Sequence, residues 1–224
     1  MVIETLDINS LSAFDTMTQK YDSWYDSPEG KALYRSELIC ISSLVDNCRP
    51  PLLEIGAGTG RFIMHYPHSA GIDPAFNPLK MAKTRGADAV QAFGENLPFR
   101  NETFGCILII FTLCFIENPI RVLNEATRVM KHDGSIILGV VPKDSPRGIS
   151  YEEKKVKGSP FYTDARFYTF EEVKKLLREA GLTILKIKST LIQKQGKTNI
   201  VEAPVEGYSQ EAGFLCIEAK LYKE

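Results

Sequence analysis

An apolar run, Leu52-Leu53-Glu54-Ile55, passes directly into Gly56-Ala57-Gly58-Thr59-Gly60. No other feature narrows the possible folds of this chain as much. A strand that ends on alternating glycines must turn sharply. Glycine reaches the backbone angles such a turn needs without strain, and its bare backbone lets a ligand lie against the chain. The spacing then narrows the ligand. A dinucleotide-binding turn reads G-x-G-x-x-G, with the third glycine allowing close helix–strand packing. Here the pattern is G-x-G-x-G and Arg61 stands where that glycine would be, which disfavours a dinucleotide enzyme. The next apolar run ends at Gly71-Ile72-Asp73. A carboxylate there either accepts both hydroxyls of a ribose or shapes a turn before Pro74.

The rest of the chain supplies the alternation that such a junction belongs to. Short apolar runs at Leu52–Ile55, Ala70–Ile72, Ala89–Ala92, Cys106–Phe111 and Ile136–Val141 are separated by segments of helical spacing. Ser27-Pro28-Glu29 reads as a helix start: a hydroxyl cap, proline in the first turn, then an acid at the positive end. Tyr34, Leu38, Ile41 and Val45 follow on one face, and Pro50-Pro51 ends the segment. Ile120, Leu123, Thr127 and Met130 predict a second helix after Asn118-Pro119. Val173, Leu176, Leu177 and Ala180 predict a third, opened by Thr169 with Glu172 as a capping box and closed by Gly181. Strand–helix alternation of this kind means a parallel sheet with helices on both faces. The end differs, because Thr183–Lys188 and Phe214–Leu221 read as two strands with no helix between them. The interval Lys143–Arg166, rich in Lys, Gly, Ser and Pro, reads as a long connection or lid.

Composition removes several classes of function. Twenty-seven basic against twenty-eight acidic residues give a formal net charge of -1, without the basic excess of a dedicated nucleic-acid binder. Cys40, Cys48, Cys106, Cys114 and Cys216 form no C-x-x-C pair, and an odd count largely within apolar runs reads as free thiols in a reduced compartment. Residues 1–20 carry Glu4, Asp7 and Asp15 and lack the basic start and apolar run of a signal peptide. The longest apolar runs are too short to span a bilayer. The expectation is a cytoplasmic protein with a small-molecule partner, no nucleic acid and no membrane span.

In this order and spacing the motifs resemble the class I S-adenosylmethionine-dependent methyltransferases, in particular the small-molecule group that includes the ubiquinone and menaquinone C-methyltransferases. The resemblance runs from about Leu52 to Val141, with a weaker echo to the C-terminus. It implies a Rossmann-like α/β fold: a doubly wound, mostly parallel seven-stranded sheet with an antiparallel last strand. Residues 1–50 would form an N-terminal helical cover over the cofactor site, and residues 51–224 the methyltransferase domain, with 143–168 as lid or connection. The implied cofactor is S-adenosyl-L-methionine, leaving as S-adenosyl-L-homocysteine. Glu54, Gly56, Ala57, Gly58 and Gly60 match the first motif, along the methionine and ribose portions. Asp73 matches the acid after the second strand and Pro74 lies beside the adenine. Gly94, Glu95 and Asn96 open the segment Gly94–Phe99 that meets the adenine edge. Leu123, Glu125, Arg128 and Val129, then Lys131–Gly134, match the fourth helix and the turn before the fifth strand. Tyr21, Trp24 and Tyr25 fall where relatives cover the cofactor, and they either face the sulfonium or pack a helix onto the core.

The chain also departs from the pattern. Phe93 replaces the usual acid for the adenine amino group, Gly105 the Asp of Phe-Asp, and Cys114 a frequent histidine. Arg61 either faces the methionine carboxylate or pairs with a local acid. No catalytic residue is assigned, because methyl transfer from a sulfonium needs mainly alignment, and a base only where the acceptor must lose a proton. His65, His68 and His132 show no metal-ligand pairing, so no metal is expected. In a doubly wound sheet ligands meet the carboxyl ends of the strands. Candidate acceptor residues are therefore Trp24, Cys114, Phe115, Lys143, Tyr162 and Arg166. The competing reading is a protein that binds the cofactor without transferring its methyl group. Acceptor chemistry based on several thiols would require the cysteines to converge, whereas Cys40 and Cys48 fall eight apart on one expected helix and Cys114 lies elsewhere.

Overall fold

The structure, a computed structural model, describes residues 13–192 and 200–222. Residues 1–12 of the expected cover, with Glu4 and Asp7, lie outside the described residues. Two helices come first, α1 (Thr18–Trp24) and α2 (Pro28–Val45). Strands and helices then alternate: β1 (Leu52–Ile55), β2 (Ser69–Asp73), α3 (Phe76–Thr84), β3 (Asp88–Gln91), β4 (Phe104–Ile110), α4 (Pro119–Val129) and β5 (Met130–Val140). The chain ends with α5 (Pro146–Val156), α6 (Phe170–Glu179), β6 (Leu182–Thr190), β7 (Val205–Glu206) and β8 (Phe214–Leu221). One sheet runs in the order β3-β2-β1-β4-β5-β8-β6-β7. Its first five strands are parallel, while β8 enters antiparallel between β5 and β6. This is a doubly wound α/β architecture, with one short addition to the seven strands expected: the two-residue β7 on the edge of β6.

The sheet is buried on both faces, which is why its strands read as unbroken apolar runs. Leu53, Ile55, Ile107, Ile109, Ile136 and Leu138 meet α4 and α6 on one side. Leu52, Cys106, Leu108 and Ile137 meet Leu33, Ile41 and Leu44 of α2 on the other. Helix α2, grouped with the cover on sequence, therefore also builds the core. Its Ser27 cap accepts from Gly30 N, and the Thr169–Glu172 capping box of α6 is complete.

Three sequence expectations are corrected. The buried face of α4 is Val122, Leu123, Ala126 and Val129, and Met130 already belongs to β5, because a β-type cap ends the helix there. Cys48 lies beyond the end of α2, so it does not share a helix with Cys40. It faces Cys106 at 2.7 Å between sulfurs. The connection after β5 carries the helix α5, capped by Ser145, which accepts from Gly148 N. Its Ile149 and Val156 are exposed, so no apolar stripe betrays it in the sequence.

Gly105 has a packing reason. Its N–H donates to Pro51 O at 2.9 Å, and a Cβ there would run into the Arg49 carbonyl. No aspartate fits at this point of β4. Gly105→Ala should lower stability by about 1–3 kcal/mol, the usual cost of overpacking, seen as a lower urea midpoint. An unchanged midpoint would show that the Arg49 segment moves aside freely.

Candidate functional site

The glycine turn after β1 is built by three left-handed residues, Gly56 (φ 76°), Gly58 (φ 51°) and Gly60 (φ 79°). Each is needed for a different reason. A Cβ on Gly56 would strike the Thr112 side chain, and one on Gly60 would come within 2.9 Å of Ala82 Cβ. A Cβ on Gly58 would meet nothing within 4 Å, because it would project into open space. Gly56 N and Ala57 N both donate to Ile72 O at 2.8 Å, locking the turn to β2. Asp73 completes it: Oδ2 accepts from Gly58 N at 2.9 Å and Oδ1 from Ala75 N at 2.8 Å. The turn-forming reading of Asp73 is thus correct. Each oxygen still keeps a lone pair for a ligand. Burial pushes the Asp73 carboxyl up to about 6, with the amide donors of Ala75 and Gly58 pulling the other way.

A cavity of about 400 Å³ opens over this turn, within the range of cofactor sites. Tyr21, Gly56, Gly58, Asp73, Pro74, Gly94 and Glu95 line it as expected from sequence. Phe93, in the place of the usual acid, lines it too, as do Phe14, Thr18, Phe111 and Thr112, which the motifs did not flag. Ala57, Gly60 and Asn96 do not line it. Ala57 and Gly60 serve packing instead, Ala57 against Gly71 and Gly60 against Ala82. Glu54 is buried below the turn with Oε2 unpartnered, and burial holds its carboxyl well above the ordinary range. Bare glycine backbone, a carboxylate at the end of β2 and the Phe93–Glu95 wall suit an elongated nucleoside ligand, so the residues present fit S-adenosylmethionine.

Arg61 is a correction. It opens no long helix, since only a 3₁₀ turn, Ile63–His65, follows. Pro67 lacks an N–H and would clash with a continuing helix. Its guanidinium grips Asp22 of α1 instead, Nε to Oδ1 at 2.8 Å and Nη2 to Oδ2 at 2.8 Å, and reaches Asp26 at 3.0 Å. It lines neither cavity. Asp22 also accepts from Thr59 Oγ1 at 2.6 Å and Arg85 Nη2 at 2.6 Å. Burial raises the Asp22 carboxyl, but these donors outweigh it and bring it down to about 2. Asp15 adds a second tie, since its Oδ1 accepts from Asn77 N at 2.7 Å in the first turn of α3. That helix has no side-chain cap of its own.

Pinned in this way, the N-terminal segment carries an aromatic cluster. Phe14 meets Tyr21, Phe115 and Phe161 at ring centroids 5.3, 5.1 and 5.7 Å apart. Beyond it lies a second cavity of about 820 Å³, and Phe14, Tyr21, Phe111, Cys114 and Phe115 line both. Trp24 and Tyr162 line this larger cavity, with Tyr162 stacked on Tyr151 at 4.8 Å. Arg166 lines the smaller cavity and stacks on Tyr168. Lys143 is exposed and lines neither, so the acceptor expectation fails geometrically for Lys143. Burial pushes the Cys114 thiol up to about 12. The other four cysteines do converge, Cys48 on Cys106 and Cys40 on Cys216, but in the core, where none lines a cavity. Among the described residues no group of His, Cys, Asp and Glu is arranged to hold a metal ion. No helix among them is long and apolar enough to cross a membrane.

Two residues of the larger cavity were missed on sequence. Glu37 lies on the buried face of α2 and Arg147 in the first turn of α5. An acid on a helix reads as solvated, and only the fold turns this one inward.

Comparison with known proteins places this geometry. A family model described as a methyltransferase domain matches residues 53–138. An uncharacterized protein of Methanocaldococcus jannaschii is 40% identical over 210 residues, covering 94% of this chain and 99% of its own. One of Mycobacterium tuberculosis is 36% identical over 200 residues, 89% of this chain and 70% of its own. The crystal structure of a SAM-dependent methyltransferase from Thermotoga maritima, described as a possible histamine N-methyltransferase, shares 33% identity. It covers 94% of this chain and 99% of its own, with a TM-score of 0.86.

Glu37 predicts a measurable cost. Burial pushes its carboxyl up from 4.5 to about 7, with Arg147 opposing, so between these values the folded chain holds a proton the unfolded chain has lost. Its contribution is intact below 4.5 and lost as pH rises through about 7. Glu37→Gln should therefore gain stability over the parent on going from about pH 4 to about pH 8, by on the order of 3 kcal/mol. Denaturant titrations at the two pH values check this. A constant difference would mean that Glu37 is hydrated in the folded state.

Proposed function

The chain belongs to the S-adenosylmethionine-dependent methyltransferase family, and we propose that it methylates a small molecule held in the larger aromatic cavity. The observation that carries this reading is the shared wall, Phe14, Tyr21, Phe111, Cys114 and Phe115, between the two cavities. A cofactor in one and an acceptor in the other would meet there. An aromatic-lined cavity of about 820 Å³ suits a compact ligand, and a net charge of -1 gives no general attraction for nucleic acid. The description of the Thermotoga maritima protein as a possible histamine N-methyltransferase is in keeping with a small acceptor.

When bound, S-adenosylmethionine supplies a methyl group on a sulfonium whose thioether leaves neutral. The chain's residues do the positioning. Asp73 would accept the ribose hydroxyls, and Pro74, Phe93, Gly94 and Glu95 would border the adenine. The open backbone at Gly56 and Gly58 would take the amino-acid end, without Arg61, which is committed to Asp22. Phe14 and Tyr21 present aromatic faces that favour a cation and exclude water from the junction. Residues 13–26 act as the cover in this reading, and the segment 143–168, with α5 and Tyr162, closes the acceptor side.

Calorimetric titration tests it. S-adenosylhomocysteine should bind more tightly than NAD, and S-adenosylmethionine should be turned over with a small acceptor. Affinity should be constant above about pH 7 and fall as pH drops through about 6, where Asp73 gains a proton and loses acceptor capacity. Asp73→Asn should weaken binding by about 1.5–3 kcal/mol and abolish that pH dependence. Tighter binding of NAD, or an unchanged affinity in the variant, contradicts the assignment.

A further inference from the structure

Glu37 is a carboxyl that the fold buries without giving it a partner. It lines the larger cavity and is 5% exposed. Among the described residues no donor reaches its oxygens: Arg147 acts on it only through its charge and donates instead to Tyr151 Oη at 3.4 Å. A buried polar group in this condition costs stability, and an apolar side chain at this position of α2 would remove the cost. Its place in a ligand-sized cavity points to a ligand that completes it. We infer that Glu37 receives the protonated amine of the methyl acceptor and takes its proton. This rests on the reading of the larger cavity as the acceptor site.

The surroundings favour a cation. Tyr21, Tyr25, Tyr151 and Phe161 put aromatic rings on the same cavity, and ring faces attract an ammonium group. The titratable groups facing Glu37 come from several elements. Arg147 approaches from α5 as a cation, while the neutral phenols of Tyr21, Tyr25 and Tyr34 approach from α1, its C-terminal cap and α2 itself. Among the described residues Glu29, Glu202 and Glu211 line the same cavity with Lys20 and Lys154, so that with Glu37 and Arg147 counted the acids are in slight excess.

The chemistry also needs a base, because an ammonium nitrogen has no lone pair to donate. The protons of Cys114, Tyr21 and Tyr162 are too firmly held. Burial pushes Cys114 and Tyr21 up to about 12 and Tyr162 higher still, and no histidine lines either cavity. Glu37, raised by burial to about 7, titrates where a base is effective near neutral pH. The ammonium gives one proton to the Glu37 carboxylate, leaving a neutral amine and a carboxylic acid. The freed lone pair forms the nitrogen–carbon bond while the carbon–sulfur pair stays with sulfur. The methylated nitrogen leaves as an ammonium, and Glu37 returns its proton to solvent.

The test uses phenethylamine, tryptamine and histamine, each beside the alcohol and the carboxylic acid of the same skeleton. Binding is measured by calorimetry with S-adenosylhomocysteine present, and turnover by its release. At least one amine should bind roughly tenfold or more above both its alcohol and its acid. Glu37→Gln should remove that preference, a loss of about 10- to 100-fold, while S-adenosylhomocysteine binds as before. Glu37→Asp should restore part of it. In the parent kcat should rise through about pH 7, and in the glutamine variant it should be flat. Amines that bind no better than their alcohols, acids that bind best, or a glutamine variant with unchanged amine binding and pH profile each overturn the inference. If S-adenosylhomocysteine does not bind at all, the methyltransferase site itself fails. If alcohols or acids are methylated instead, that site stands and only the role of Glu37 falls.

Discussion

One buried carboxylate holds the site together. Asp22 sits on α1, yet its oxygens are consumed by Thr59 and Arg61 of the glycine turn and by Arg85 beyond α3. Arg61 Nη2 also donates to the Asp22 carbonyl at 2.9 Å, and Arg85 Nη1 to Thr59 O at 2.6 Å. All are charge-assisted, and Arg61 grips the Asp22 carboxylate in bidentate geometry, among the strongest bonds that side chains make. Removing one partner of such a buried set costs about 3–5 kcal/mol. Because the carboxyl is held down to about 2, its contribution is present above the unfolded value near 3.8 and lost only as pH falls through about 2. Near neutrality the knot is fully formed.

Everything aromatic at the site follows from that anchoring. With α1 fixed on the turn, Tyr21 and Tyr25 share a hydroxyl contact of 3.1 Å, and Phe14 wedges between Tyr21, Phe115 and Phe161. The rings divide one hollow into two cavities that touch. The molecule accepts local cost around them. Phe111, at the end of β4, has φ 57°, a conformation that non-glycine residues rarely adopt. Glu54 and Tyr168 each bury a polar atom without a partner.

How far the sequence speaks depends on range. The glycine turn, the Ser27 cap and the Thr169–Glu172 box are local chemistry, and each is formed as its residues predict. Gly56, Gly58, Asp73, Gly94 and Glu95 were legible because their spacing along the chain is itself the motif. The Asp22–Arg61 knot was not, since its partners lie 39 residues apart. Arg61 read either as a ligand contact or as the partner of a local acid, and the fold supplies the acid from α1. Glu37 was hidden for a different reason. A glutamate at a helical position reads as solvated until the fold shows which face it occupies. Helix α5 went unseen because Ile149 and Val156 point outward, leaving only Ser145-Pro146 to announce it. Those same two residues repeat the start of α2, Ser27-Pro28, and are the signal that was there to be used.

With these bonds Asp22 should couple α1 to the glycine turn as one cooperative unit. Amide hydrogen exchange on Asp22→Asn beside the parent, with S-adenosylhomocysteine affinity measured on the same samples, tests it directly. Residues 18–25 and 56–62 should lose protection together, and the affinity should fall with them. Faster exchange confined to residues 18–25, with the glycine turn still protected and the affinity unchanged, would contradict the coupling.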